Sequence, residues 1–131
     1  MLRSAGGGTE SSLADVVGVR RAGADWSVPY YRDRAYRHRL GVTPNEMFYE
    51  AVGSAGDPGC GGRQMPSHWG YKPFNIVSKS SPTGTQFLQA VGCAEGIVKA
   101  AELGLEGGKG EEVVYDSAGH GSTRWGAFGE S

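Results

Sequence analysis

An apolar run from Phe87 to Leu105 is the strongest regular pattern in this chain. Its apolar side chains recur at alternating spacings of four and three residues, which places them on one helical face. These side chains are Phe87, Val91, Ala94, Val98, Ala101 and Leu105. Ser81 is a good N-cap and Pro82 suits a first helical turn, so the sequence predicts a helix that begins there.

The segment in front of this helix, Ser80 to Gln86, is small and rich in hydroxyl groups. A helix start of this kind offers unpaired N–H groups, hydroxyl donors and the positive end of the helix dipole, so it is a candidate phosphate site. The alternative is that the segment only caps a core helix, which is the more common role of such residues.

Length and charge limit the possible functions. The 131 residues are enough for one ordinary domain, and a net charge of −1 provides no general attraction to nucleic acid or membrane. No apolar run has membrane-spanning length, and the start lacks the apolar core of a secretory signal. Cys60 and Cys93 form no CxxC pair, which fits a reducing compartment, so we expect a cytoplasmic protein.

The first part of the chain predicts short elements between breaks. Residues 1–10 are small and polar, so we expect a disordered start, followed by a partial domain over residues 11–131. Ser11 to Arg20 predicts a short helix. Trp26 to Tyr31 predicts an extended segment, because Pro29 disfavours helix just before itself.

A basic segment follows, with Tyr36 and Leu40 interleaved among its charges. The basic residues are Arg32, Arg34, Arg37, His38 and Arg39. This pattern predicts a half-buried helix with a solvated basic face. A small RNA-binding module is the alternative, but one short patch in a near-neutral chain supports it weakly, and we expect no nucleic-acid partner.

Thr43, Pro44 and Glu46 form a capping-box pattern that begins a helix predicted to end at Gly53. From Gly53 to Lys72 the chain is too rich in glycine for regular structure. Loops that combine glycine with Arg and His often form working surfaces on a rigid scaffold. His68 is therefore a weak catalytic candidate in the loop that holds Arg63, although a single loop histidine is more often incidental.

Two strands are predicted in the second half of the chain, Phe74 to Ser78 and Glu111 to Tyr115. The second strand runs into a glycine turn at Ser117 to Thr123. Strand, glycine turn and helix start together form the layout of an α/β cofactor site. Asp116 extends this buried strand with a carboxylate, which is costly unless the carboxylate has a partner.

Three motifs in order resemble one family, the alpha chain of thiamine-diphosphate-dependent 2-oxo acid dehydrogenases, the decarboxylating first component. The motifs are Asp25 to Ala35, Gly62 to Gly70 and Ser80 to Ala94. The run Gly62 to Pro66 is more similar to the branched-chain 2-oxo acid (2-oxoisovalerate) branch than to the pyruvate branch. The resemblance implies an α/β fold, namely an incomplete part of a thiamine-diphosphate-binding fold in which helices flank a parallel sheet.

The resemblance also implies roles for single residues. Tyr31 and Arg32 match the pair that holds the diphosphate of thiamine diphosphate, where a guanidinium and a hydroxyl are suitable donors. Further cofactor contacts match Ser81, the backbone of Thr83, Gly121 and Ser122. A loop that binds a structural potassium ion (K+) in some relatives matches Ser80, Pro82, Thr85 and Gln86.

His120 departs from the family pattern. It stands where the family has an Asp or Glu whose carboxylate binds the Mg²⁺ (Mg2+) that bridges the diphosphate. Mg²⁺ takes oxygen ligands, whereas imidazole suits zinc, copper or nickel, so His120 does not simply inherit the metal role. Asp116 lies four residues too early to replace it.

The resemblance implies an activity for the parent protein, the oxidative decarboxylation of a 2-oxo acid substrate with acyl transfer to a lipoyl acyltransferase component. It implies a beta chain of the same component as a partner, and no membrane. A lone βα segment would leave its sheet edges and apolar faces unpaired, so we expect a fragment of a larger subunit that is inactive and marginally stable alone. The alternatives are a pyruvate dehydrogenase-type fragment and a non-catalytic relic that binds no cofactor.

Overall fold

The structure is a computed structural model that describes residues 2–6, 24–68, 70–105, 109–124 and 126–129. Its sheet has three parallel strands, in which β3 lies between the other two. The strands are β1 (Leu2–Gly6), β2 (Trp26–Val28) and β3 (Val114–Ala118). Every residue of β3 is buried, as expected for the central strand of a sheet covered by helices. The predicted α/β class with a parallel sheet is confirmed.

Four α-helices and two 3₁₀ helices are found in the described ranges. The α-helices are α1 (Arg34–Leu40), α2 (Pro44–Ala51), α3 (Thr85–Glu102) and α4 (Gly126–Gly129), and the 3₁₀ helices are Lys72–Phe74 and His120–Arg124. None of the helices in this part of the chain has the length and apolar character needed to cross a bilayer.

The core lies between α3 and the sheet. It contains Val28, Ala90, Ile97 and Val114, with Trp26, Val77, Cys93 and Ala94 packed around them. The buried face of α3 differs from the predicted one, because Val98 is 48% exposed. Leu105, the last residue of the predicted face, lies beyond the end of the helix at Glu102. Apolar residues occur around much of this helix, so their spacing alone does not select one face. Ala90 is fully buried, which allows the helix backbone to approach the sheet closely.

The predicted start of α3 is wrong. Gly84 is the N-cap, with a left-handed φ of +84°, and as a glycine it has no side chain that could cap the helix. The N–H and the hydroxyl of Thr85 both donate to the carbonyl of Pro82, at 3.3 and 2.9 Å. Pro82 to Gly84 therefore form a tight turn in front of the helix, and the Ser81 hydroxyl is directed elsewhere.

The strand predictions are confirmed in part. The predicted extended segment at Trp26 forms β2. The strand predicted for Phe74 to Ser78 is wrong, because Lys72–Phe74 is a 3₁₀ helix and Asn75 has a positive φ, which leaves only isolated bridges at Ile76. The strand predicted for Glu111 to Tyr115 is displaced and begins at Val114.

At the front of the chain, Leu2–Gly6 form the edge strand β1, although a disordered start was expected for residues 1–10. Backbone pairing with β3 accounts for the difference, because a parallel ladder needs no particular side chains. The helix predicted for Ser11 to Arg20 lies outside the described residues.

The basic segment forms α1, as predicted, but its charges are not all solvated. Arg37 is only 3% exposed. Burial lowers the pKa of its guanidinium to about 10, while Glu50, Asp57 and Glu46 attract the charge. Arg37 therefore remains protonated at neutral pH and faces carboxylates inside the molecule, which weakens the nucleic-acid interpretation.

The capping box at α2 is confirmed. The Thr43 hydroxyl accepts the N–H of Glu46 at 3.3 Å, and the Glu46 carboxylate accepts the N–H of Thr43 at 2.7 Å. The helix ends at Ala51, and Gly53 follows with a positive φ, as predicted.

We expect Thr43→Ala to lower the free energy of unfolding by about 1 kcal/mol, because an N-cap hydroxyl has that value in helices. Chemical denaturation of the full chain measures the change. Asn45→Ala, at an exposed position of the first turn of the same helix, is the control. Equal effects of the two substitutions would show that the capping box contributes nothing.

Candidate functional site

A cavity of about 280 Å³ lies in front of α3. Four segments line it, namely the loop after β2, the end of the glycine-rich loop, the stretch from Lys79 into the first turn of α3, and the 3₁₀ helix after β3. Predicted site residues that line it are Tyr31, His68, Ser81, Thr83, Gln86 and Ser122. The structure therefore brings most of the predicted cofactor contacts to one place.

The other predicted residues lie beside the cavity or away from it. The Arg32 guanidinium lies 5.1 Å from the Tyr30 ring and 5.4 Å from the Tyr31 ring, at the edge of the site. Arg63 points back into its own loop, where it donates to the carbonyl of Cys60 at 2.7 Å. His120 and Gly121 begin the 3₁₀ helix after β3. Their roles stay predictions.

Ser81 and His68 form a direct contact across the cavity wall. The Ser81 Oγ lies 2.7 Å from Nε2 of His68, and Nδ1 of His68 lies 3.1 Å from the carbonyl oxygens of Met65 and Pro66. Carbonyl oxygens only accept, so Nδ1 of His68 carries a proton and donates to them. The contact with Nε2 fixes the position of the Ser81 hydroxyl in the cavity wall.

Lys79 also lines the cavity, although nothing in the sequence indicates that it belongs to the site. It is only 5% exposed, and its ammonium lies 5.3 Å from the centre of the Tyr30 ring. Burial lowers the pKa of Lys79, and the charges of Asp116 and Asp33 act in the opposite direction. A lysine next to two serines is expected to be solvated, so its burial could not be predicted from the sequence.

Two carboxylates lie behind the cavity. Asp33 accepts the N–H of Tyr30 at 2.9 Å and the hydroxyl of Ser117. Asp116 is 2% exposed, and its Oδ1 has no hydrogen-bond partner among the described residues. Burial, together with the charge of Asp33, raises the pKa of Asp116 to about 7, against a backbone hydrogen bond at Ser117 and the attraction of Lys79. The attraction of Lys79 therefore offsets only part of the cost of burying Asp116.

The glycine turn after β3 lets the two walls of the site approach each other. A Cβ at Gly119 would lie 2.7 Å from the hydroxyl oxygen of Tyr30. Ser122 is buried and follows in the 3₁₀ helix, where its N–H donates to the carbonyl of Gly119 at 2.8 Å. The predicted order of strand, glycine turn and helix start is present here, in a shorter form.

The potassium loop stays a prediction. Thr85 and Pro82 are joined by the hydrogen bonds of the turn described above. The Gln86 amide nitrogen lies 3.5 Å from the carbonyl of Ser117, and its Oε1 is buried without a hydrogen-bond partner in the described part of the chain. Gln86 thus offers a free oxygen, but it joins α3 to β3 at the same time.

The donor set does not suit Mg²⁺. The described residues contain no group of three or more His, Cys, Asp or Glu side chains that could hold a metal ion. None of the described residues that line the cavity carries a carboxylate. This sequence has a histidine at position 120, where the resemblance implies a carboxylate. The described cavity lining thus offers hydroxyl and ammonium groups and none of the carboxylate oxygens that Mg²⁺ takes in proteins.

Comparison with curated proteins identifies relatives, although no family model matches the chain. The chain is 44% identical over 70 residues to the 2-oxoisovalerate dehydrogenase subunit alpha of Bacillus subtilis, which is 53% of this chain and 21% of that protein. It is 50% identical over 52 residues to the mitochondrial 2-oxoisovalerate dehydrogenase subunit alpha of Mus musculus, 39% of this chain and 12% of that protein. The resemblance to 2-oxoisovalerate dehydrogenase alpha subunits is confirmed.

The similarity covers about half of this chain. A third relative, the mitochondrial 2-oxoisovalerate dehydrogenase subunit alpha of Caenorhabditis elegans, is 44% identical over 64 residues, 49% of this chain and 15% of that protein. The matched region amounts to about a fifth or less of the length of each of these relatives. About half of this chain is thus similar to one segment of these alpha subunits.

Proposed function

We propose that this chain is the cofactor-binding segment of a 2-oxo acid dehydrogenase alpha subunit. The parent protein would oxidatively decarboxylate a branched-chain 2-oxo acid and pass the acyl group to a lipoyl acyltransferase, with thiamine diphosphate as cofactor and a beta chain as partner. The observation that carries the proposal is the convergence of Tyr31, Ser81, Thr83 and Ser122 on one cavity. A cytoplasmic location belongs to the same proposal.

The cavity has the chemistry of an anion site, which supports binding of the diphosphate. Thr83 and Gly84 bring the N-terminus of the 18-residue helix α3 to its wall, and no acidic residue stands in the first turn of that helix. Lys79 supplies a positive charge, and Tyr31 and Ser122 supply hydroxyl groups. These donors suit phosphate oxygens.

Thiamine diphosphate, when bound, supplies the electron sink for the carbanion that decarboxylation leaves. The residues of this chain would hold and orient it. Arg32 is restrained by the Tyr30 and Tyr31 rings, so its planar fork of donors is preorganised at the rim. His68 holds the Ser81 hydroxyl in place through a 2.7 Å hydrogen bond between Nε2 and Oγ. No step is assigned to Mg²⁺, because the donor set does not suit it.

The relatives favour the branched-chain assignment over the pyruvate-type alternative, since those reported above carry the 2-oxoisovalerate name. A relic that binds no cofactor is the remaining alternative, and a binding measurement separates it from the proposal.

We expect calorimetric titration of the full chain, co-expressed with a beta chain, to detect thiamine diphosphate binding. Arg32→Met should weaken binding at least about tenfold, because a hydrogen bond to a charged group contributes about 1.5–3 kcal/mol. Arg39→Met, at an exposed position of α1, is the matched control and should leave the affinity unchanged. The relic interpretation holds if neither this chain nor its His120→Asp variant binds the cofactor.

A further inference from the structure

We infer that Lys79 is the charge that neutralises the anion in this cavity, and that a diphosphate binds there directly, without a bridging divalent cation. The inference rests on the proposed function, because the anion is taken to be the diphosphate of the cofactor. It adds a binding residue that the family motifs do not include, and it replaces a metal for which the chain lacks suitable ligands.

Lys79 is a buried residue of the cavity wall. Its side chain lines the cavity and yet is 5% exposed, so its ammonium is held in a fixed environment. The Tyr30 ring lies 5.3 Å from the ammonium, where a cation–π contact restrains it. A buried ammonium is costly unless it has negative partners, and a bound anion would be such a partner.

Positive and negative groups are distributed unequally around the cavity. Asp116 and Asp33 attract Lys79 from behind, and neither of them lines the cavity. The described cavity surface therefore contains an ammonium and the positive end of α3, together with hydroxyl groups, and no carboxylate. The described residues that line the cavity thus offer an anion a cation and hydroxyl donors.

Gln86 provides a second, independent indication of a ligand. It is 1% exposed and lines the cavity, and its Oε1 has no hydrogen-bond partner among the described residues. A buried amide oxygen without a donor is destabilising. A hydroxyl group of a protonated phosphate, or a water molecule bound with it, would supply that donor.

The cavity residues that the structure describes do not suit a bridging Mg²⁺. A bridging Mg²⁺ needs at least one or two carboxylates together with the phosphate oxygens. The cavity residues that the structure describes offer none, and position 120 is a histidine. Direct contact between Lys79 and the diphosphate performs the same neutralisation, since an ammonium is an established phosphate partner.

The test is a calorimetric titration of the full chain with inorganic diphosphate in the presence of EDTA. We expect binding under these conditions, at least about tenfold weaker binding by Lys79→Met, and nearly unchanged binding by Lys79→Arg. Lys99→Met is the control, because Lys99 is exposed and pairs with Glu102 on the far part of α3. Far-ultraviolet circular dichroism checks that each variant folds.

Lys79→Met leaves Asp116 without its cation, so a second variant protects the test against a folding defect. The double variant Lys79→Met/Asp116→Asn removes both charges and should show the same loss of diphosphate binding. Binding that requires Mg²⁺, or equal affinity of the Lys79→Met chain, would overturn the inference. No binding of diphosphate by the unmodified folded chain would overturn it as well.

Different experimental outcomes would contradict the proposed function and the inference about Lys79. If the chain binds inorganic diphosphate through Lys79 but does not bind thiamine diphosphate, the inference stands and the proposed cofactor is wrong. If thiamine diphosphate binds with equal affinity to the Lys79→Met chain, the proposed function stands and the inference is wrong.

Discussion

Replacing Asp116 by asparagine should raise the free energy of unfolding by about 2–4 kcal/mol at pH 8. The Asp116 carboxyl is 2% exposed, and burial raises its pKa from 3.8 to about 7 in the folded chain. Each pKa unit corresponds to about 1.4 kcal/mol, so keeping this carboxylate ionised in the fold costs about 4 kcal/mol. The asparagine retains the shape and removes the charge, and burial of its amide returns part of the cost.

The gain depends on pH in a defined direction. Because the folded-state pKa is the higher one, the folded chain binds more protons than the unfolded chain between about pH 4 and pH 7. The stability of the unmodified chain should therefore fall as the pH rises through this window and level off above it. The advantage of Asp116→Asn should become small near pH 4 and disappear below it, where the carboxyl is protonated in the unfolded chain as well as in the folded one.

Urea denaturation at a series of pH values measures this effect. Glu95→Gln, which removes an exposed carboxylate from α3, is the control and should change the unfolding free energy little at any pH. An advantage of Asp116→Asn that is equal at pH 4 and pH 8 would contradict the explanation, because it would then not come from ionisation.

Replacing Phe87 by alanine should lower the free energy of unfolding by about 3–5 kcal/mol. Phe87 is 2% exposed and contacts the Phe128 ring edge to face, with ring centres 5.0 Å apart. The side chain also belongs to the buried face of α3, whose first turn borders the cavity. An ordinary domain has only about 5–15 kcal/mol of stability, so the loss should abolish the cooperative transition of a marginal chain.

Thermal unfolding followed by circular dichroism measures the loss. Leu88→Ala is the matched control, because Leu88 is the next residue of the same helix and is 45% exposed. It should cost about 1 kcal/mol or less. A Phe87→Ala chain that melts like Leu88→Ala would show that α3 does not pack as described.

Local interactions were predicted from the sequence because all of their partners lie within one turn of chain. The capping box joins Thr43 to Glu46, and its hydrogen bonds form wherever the helix lies in the fold. The glycine turn after β3 is similar, since Gly119 allows the chain to leave the strand. The start of α3 was mispredicted because Ser81 is equally suited to a cap and to a contact with His68.

The burial of charges was not predictable in this way. Arg37 and Lys79 look like solvated residues in sequence, yet both are at most 5% exposed. Their environment depends on Glu50 and Asp116, which belong to other elements. Hydrophobic spacing along α3 likewise did not reveal which face meets the sheet, because apolar residues occur around most of the helix.

The sequence by itself determined the α/β class, the capped helix α2, the presence of α3 and the motifs shared with 2-oxoisovalerate dehydrogenase alpha subunits. Tertiary structure alone decided which residues surround the cavity. The Ser81–His68 contact joins residues 13 apart, and the Asp33–Ser117 bond joins residues 84 apart. Such contacts depend on how the elements pack, whereas a turn or a cap depends only on neighbours in the chain. For that reason the buried charge of Lys79 became visible only in the folded structure.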